Sequence, residues 1–218
     1  MAEPFTISFE FRNERFQQAS KGLLAFGNRV QVSWREVGGV LKTELTNYLN
    51  VVARALAQRH GNPWPDGTTE SSLSRRSGAL LESIQASVRV YGSTLKDIHG
   101  TIGSDRVYAR IQEFGGTIVP KHAQFLTVPL PAALNPDGTP IKQSAREWDR
   151  TFVIRSKKGN LLIVRKVGAD LVPLYVLRTE VVIPPRMKLK TTLEAGLPYF
   201  VDRSMEAMLR KMQEGLGA

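Results

Sequence analysis

Three histidines and three evenly spaced carboxylates are the residues of this chain with side chains suited to catalysis or metal binding. His60, His99 and His122 stand far apart, and none falls in a His-x-x-x-His or Glu-x-x-His spacing that would set two ligands on one helical face. They read as surface or capping residues. Asp97, Asp105 and Glu113 recur every eight residues through turn-rich sequence. That spacing is compatible with a nuclease-like acidic pair assisted by a lysine, but it also arises by chance between turns. There is no cysteine, so disulfides, thiolate metal sites and a cysteine nucleophile are excluded. Gly115-Gly116 follows Phe114 without the spacing of a phosphate cradle. The pair is better explained as a helix stop that uses positive φ. The expectation is therefore a protein that is not an enzyme and has no metal and no cofactor.

Charge is concentrated in one part of the sequence. Of the 218 residues, 30 are Lys or Arg and 20 are Asp or Glu, a formal net charge of +10. Residues 121–190 hold 13 of those cations and 5 of the anions, and the remainder is nearly balanced. Such a region is either a solvated surface or a contact for DNA or an acidic partner. No window reaches the ~18 apolar residues of a membrane span, and the N-terminus lacks the regions of a signal peptide, so no membrane contact is expected and a cytosolic, soluble product is.

The elements that must position these residues follow from periodicity. Phe5, Ile7, Phe9 and Phe11 alternate with polar residues as in a half-buried strand. Asn13 is placed to cap a short helix ending near Phe26, and a longer one follows from Gly27-Asn28 to Gln58, with Gly38-Gly39 as a weak point. Leu41, Leu45, Tyr48, Leu49, Val52 and Leu56 form its apolar stripe. Two prolines and two glycines between His60 and Gly67 end it. Ser77 then caps a short helix whose apolar side is Leu80, Leu81 and Ile84, with Gly78 expected where there is no room for a side chain. Strands are predicted at Val88–Tyr91 and Ile98–Ile102. Tyr108–Phe114 is predicted as a short helix ending at Gly115, with Tyr108, Ile111 and Phe114 buried for ~1.5 to 3 kcal/mol each rather than free to stack on bases. From 118 to 183 strands dominate: Phe125–Pro129, a hairpin of Phe152–Ile154 with Leu161–Val164, then Leu174–Leu177 and Val181–Ile183. A closing helix is predicted from Tyr199 to Met212. The fold class is α+β: a small antiparallel sheet packed on helices, one domain over 1–218 with a basic, strand-rich insertion at about 118–183 and a C-terminal helix.

Two segments about thirty residues apart carry a resemblance. Ser77-Gly78-Ala79-Leu80-Leu81-Glu82-Ser83-Ile84 and Tyr108-Ala109-Arg110-Ile111-Gln112-Glu113-Phe114-Gly115-Gly116 together resemble the paired signature of bacteriophage head-tail joining and tail-completion proteins, which include the Mu-type virion morphogenesis proteins. Pro184-Pro185-Arg186 before a closing helix fits the same order. Leu81 stands where many members have a basic residue, and 120–182 is longer than the family core. The resemblance implies a structural subunit of the virion neck, a tail terminator or tail-completion protein. It would form a homo-oligomeric ring, often six-fold, between the tail tube protein and the head-tail connector, with passing contact to genomic DNA. Gly78, Leu80, Ile84, Tyr108, Phe114, Gly115 and Gly116 are its motif positions. Trp64 and Trp148, in polar contexts, are the expected interface anchors. Arg155, Lys157, Lys158, Arg165 and Lys166 flank the predicted hairpin and are expected to cluster in space towards an acidic partner ring. A stand-alone basic DNA-binding protein, and after it a nuclease-like hydrolase, are the alternatives from other classes.

Overall fold

A computed structural model describes residues 9–11, 14–16, 19–66 and 68–216. In chain order its elements are β1 (Phe9–Phe11), β2 (Glu14–Phe16), α1 (Ala19–Arg59), α2 (Ala79–Ala86), β3 (Arg89–Tyr91), β4 (His99–Thr101) and α3 (Ala109–Phe114). Then follow β5 (Gly116–Ile118), β6 (Leu126–Pro129), β7 (Thr151–Arg155), β8 (Leu161–Val167), β9 (Asp170–Arg178), β10 (Val181–Ile183) and α4 (Leu189–Leu216). The α+β class is as expected, with every strand pair antiparallel. The chain forms two compact units, one of residues 1–52, 87–102 and 193–218, the other of 53–86 and 103–192. The whole 118–183 segment belongs to the second.

The first unit holds most of α1. Where a short helix, a break at Gly27 and a second helix were expected, β2 replaces the beginning and one 41-residue helix runs through Gly27, Gly38 and Gly39. Each interior glycine costs roughly 1 kcal/mol relative to alanine, but packing along the stripe holds the helix. The predicted strand residues Phe5 to Ser8 lie outside the described residues. The β3–β4 hairpin rests on the stripe so closely that a Cβ at Gly100 would stand 2.6 Å from Leu49 Cδ1. Lys42 Nζ donates to the Gly92 carbonyl at 3.1 Å. α4 runs antiparallel to α1, since Glu36 pairs with Lys211, Glu44 with Arg203, and Tyr48 stacks on Phe200 at 4.9 Å.

In the second unit β6, β9, β8 and β7 form a four-stranded sheet in that order. Leu174 and Tyr175 of β9 are buried with Ala133, and Trp148, Ile163 and Val172 pack against them. The expected β7–β8 hairpin is present, pairing Arg155 with Leu161 and Thr151 with Arg165. Its turn closes through the Gly159 N–H on the Ser156 carbonyl at 2.9 Å. β5 and β10 form a separate two-stranded ribbon. α4 begins ten residues before the predicted Tyr199 and carries Pro198 inside it. The cause is a cap from elsewhere in the chain: Glu113 Oε2 accepts the Leu189 N–H at 2.8 Å and its Oε1 the Lys190 N–H at 2.9 Å. A carboxylate on the first N–H groups satisfies orphan donors and complements the helix dipole. No described helix is long and apolar enough to cross a membrane.

Candidate functional site

The three segments that carry the resemblance meet at one cleft of about 500 Å³ in the second unit. Ser77 to Leu81 at the start of α2, Tyr108 just before α3 and Gln112 within it, Ile183 at the end of β10 and Arg186 after it all line the cleft. His60 and the loop from Trp64 to Arg76 close it.

α3 organises one wall. The Gln112 carbonyl accepts the N–H groups of Arg186 and Met187, each at 2.8 Å, and Glu113 caps α4 two residues further on. Gly115 ends α3 at φ +70°, where a Cβ would lie 2.9 Å from Pro185 Cδ and 3.0 Å from the Ile183 carbonyl oxygen. Both the backbone conformation and the close approach require glycine. At Gly78 the reason differs from the one expected. Its φ is +80°, while the nearest atom to a built Cβ is the Glu82 carboxylate at 3.3 Å, so conformation rather than crowded backbone selects glycine. Ser83 Oγ and Ser104 Oγ, 2.6 Å apart, tie α2 to the segment before α3.

His60 organises the other wall. It is 2% exposed, not a surface residue. Nδ1 lies 3.0 Å from the Leu73 N–H, which can only donate, and Nε2 lies 3.0 Å from the Met187 carbonyl, which can only accept. The ring is therefore neutral with its proton on Nε2. Burial pushes its pKa below the ordinary histidine value, with the Met187 bond opposing the shift. Arg75 joins the loop to Asn62 and Trp64 by backbone bonds of 2.7 and 3.1 Å. The next residue, Arg76, holds its guanidinium 4.3 Å above the Trp64 ring.

The resulting chemistry is cationic and partly apolar. Arg75, Arg76 and Arg186 line the cleft with no Asp or Glu among the lining residues, beside Leu73, Leu80, Leu81 and Ile183. Arg186 Nε donates to the Thr69 carbonyl at 2.8 Å. Gln112 Oε1 is buried without a hydrogen-bond partner among the described residues.

Other sequence-based expectations fare differently. Ile84 is buried under α2. Tyr108 and Phe114, expected in the core, are 41% and 68% exposed; Ala109 is the α3 residue that is buried. Tyr108 is the residue before the first turn of α3 and Phe114 its last, so the two stand at opposite ends of a six-residue helix whose inward contacts are made by Ala109 and the half-buried Ile111. Trp148, expected at an interface, packs on the sheet core and donates from Nε1 to Tyr175 Oη at 3.1 Å. Trp64 is half-buried and occupied by Arg76. The five hairpin cations fall into two groups: Arg155, Lys157 and Lys158 at the exposed turn, and Arg165 and Lys166 four residues along β8, ~13 Å away. Arg165 pairs with Asp149 at 2.8 Å and lies over Trp148. Glu113 caps α4, Asp97 accepts the N–H groups of Ser93 and Thr94 within its own turn, and Asp105 pairs with Arg106 at 3.7 Å. His99 bonds the Asp97 carbonyl through Nδ1, and His122 is exposed. Arg75-Arg76, directly before Ser77-Gly78, and Arg186, after Pro184-Pro185, carried no site role in the sequence, because nothing local shows that they line one cleft.

Compared with protein-family models, with curated proteins and with solved structures, the chain matches none.

Proposed function

We propose that this chain is a structural subunit of a bacteriophage neck, assembling into a homo-oligomeric ring that completes the tail and joins it to the head connector. The observation that carries the reading is the exposed apolar surface on and immediately beside the motif segments. Val107 is 96% exposed, Phe114 and Val182 nearly 70%, and Ile118 and Val119 stand out beside them in sequence. Apolar residues concentrated in this way mark association surfaces more often than free monomer surface. β5 and β10 pair only with each other among the described residues, so their outer edges can accept a neighbouring strand. A head-to-tail contact between two different patches closes into a ring when its rotation divides a full turn.

Light scattering coupled to size exclusion tests this, with electron micrographs of the same fractions. The expected outcome is one discrete multiple of the 24.3 kDa chain, seen as rings, with Phe114→Glu and Val182→Glu together shifting it to monomer while the circular dichroism is unchanged. A wild-type chain that stays monomeric up to about 1 mM would overturn the reading.

A further inference from the structure

We propose that the cleft of the second unit is a recognition site for an extended acidic segment of another protein, with carboxylates set between apolar side chains. The argument rests on what the cleft offers and what it lacks. Three arginines line the cleft, Arg75 and Arg76 from the loop wall and Arg186 from the α3 wall; no carboxylate lies within ion-pair distance of any of them among the described residues, and Asp137 acts on Arg76 only at longer range. The Arg75 side chain makes no hydrogen bond to a described residue, and Arg186 uses only Nε, leaving its two terminal nitrogens for a ligand. Guanidinium groups are planar forks suited to bidentate carboxylate binding, and the backbones that carry these two are held by the Arg75 bridge and the Gln112–Arg186 bond. Charge complementarity therefore asks for an anion.

The walls decide which anion. Leu73, Leu80, Leu81 and Ile183 would be left against water by an inorganic ion, whereas a peptide with apolar residues beside its carboxylates covers them. Nucleic acid fits less well. Base recognition in single strands relies on free aromatic faces, and of the two aromatic residues lining the cleft the Trp64 ring is already engaged by Arg76 and packed against Gly138, where a Cβ would come within 2.5 Å, which leaves Tyr108 alone. The buried, unpartnered amide oxygen of Gln112 supplies one further polar atom. The atom is closed to solvent as it stands, so it reaches a ligand only when the side chain turns; it would then accept a peptide N–H, or after an amide flip donate to a carbonyl. Peptide backbone offers both, and a phosphodiester offers no donor.

This inference is independent of the ring, since a monomer with this cleft binds the same segment and a ring can form with the cleft empty. The probe is a fluorescein-labelled, acetylated and amidated peptide of alternating aspartate and leucine, titrated with the full chain at about 0.15 M salt and read by anisotropy. Its partner probes replace every aspartate with asparagine, or are an oligothymidylate of similar length. Saturable binding of the acidic peptide is expected. It should fall about tenfold or more in the Arg75→Gln, Arg186→Gln double variant. The double variant Arg155→Gln, Lys158→Gln, which removes the same charge at the β7–β8 turn, should change it less than about twofold. Equal loss in both double variants would reduce the effect to net charge and overturn the proposal. So would equal binding of the asparagine peptide, tighter binding of oligothymidylate, or no saturation of the acidic peptide up to about 1 mM. Leu81→Glu, which places a carboxylate in the cleft wall, gives a second arm: with unchanged circular dichroism it must weaken the acidic peptide.

Discussion

The cleft and the β7–β8 turn are both basic, and they are built in opposite ways. At the turn, Arg155, Lys157 and Lys158 lie within four residues of sequence, all exposed, on a loop closed by two backbone bonds. In the cleft, the adjacent pair Arg75-Arg76 meets Arg186 from more than a hundred residues further along the chain, with the backbones of Arg75 and Arg186 held by a bridge to the 62–64 loop and an α3 carbonyl and the Arg76 guanidinium held over an indole ring. The turn leaves cations that are close in sequence dispersed into solvent, while in the cleft the fold adds one distant arginine to an adjacent pair. Only the second arrangement holds its charges beside an apolar wall, where a ligand excludes water and each contact strengthens.

The largest expected effect comes from removing the cap that fixes the Arg186 side of the cleft. Glu113→Ala leaves the N–H groups of Leu189 and Lys190 without their carboxylate, a loss of about 2 kcal/mol from two charge-assisted bonds partly replaced by water. Glu113→Gln keeps one acceptor and should lose about half. Hydrogen exchange at Leu189 and Lys190 should quicken in that order, with the amides of β8 and β9 unchanged. If β8 and β9 exchanged equally faster, the cleft would not be a separately held feature.

The same cap shows what the sequence could and could not reveal. Local signals were legible: the alternation in β3, the short helix stopped by Gly115, the hairpin around Gly159 and the strands from Leu126 to Ile183 all follow from neighbours a few residues apart. The start of α4 was not, because its cap is 76 residues away. Gly27 and Gly38-Gly39 looked like breaks because propensity is a local quantity, whereas the stripe from Leu41 to Leu56 and its packing outweigh it. The motif segments were visible as patterns, but their meeting with Arg75, Arg76 and Arg186 required the fold. His60 looked like a surface residue because nothing beside it in sequence shows that Leu73 and Met187 will saturate both ring nitrogens.

A middle-sized effect follows from that histidine. Its folded pKa lies below the ordinary value of about 6.5, so the unfolded chain takes up the proton first as pH falls. The stabilisation is complete above about pH 6.5 and is lost as pH falls from there through the folded pKa. Protonation would also put a second N–H against the Leu73 donor. The urea midpoint should therefore drop between about pH 7.5 and pH 5.5, and His60→Gln should flatten that change while lowering stability at neutral pH. Acidic-peptide binding should weaken over the same interval if the Leu73 wall loosens with the histidine. A wild-type midpoint independent of pH across this range would contradict the assignment.

The smallest effect on the folded chain belongs to the turn, and there the comparison is sharpest. Changing Arg155, Lys157 and Lys158 together to Glu takes the formal charge from +10 to +4, since each exchange removes two charges. None of the three makes an ion pair among the described residues, and surface exchanges away from packed features stay within about 0.5 kcal/mol. At 0.15 M salt the Debye length of about 8 Å screens exposed charges outside the cleft, so acidic-peptide affinity should change by less than about threefold. Ring formation should also persist, because the apolar residues proposed to drive it lie on α3, β5 and β10. A turn of this kind acts on a partner by complementary charge. In the proposed neck that partner is an acidic ring: a lumen lined with phosphate-binding cations would slow DNA exit, because every neutralised phosphate adds affinity. The variant is therefore expected to fold and form rings yet fail to join tails to heads. Normal joining would leave the turn as solvated surface, and loss of the rings would move the assembly contact from the motif segments to the hairpin.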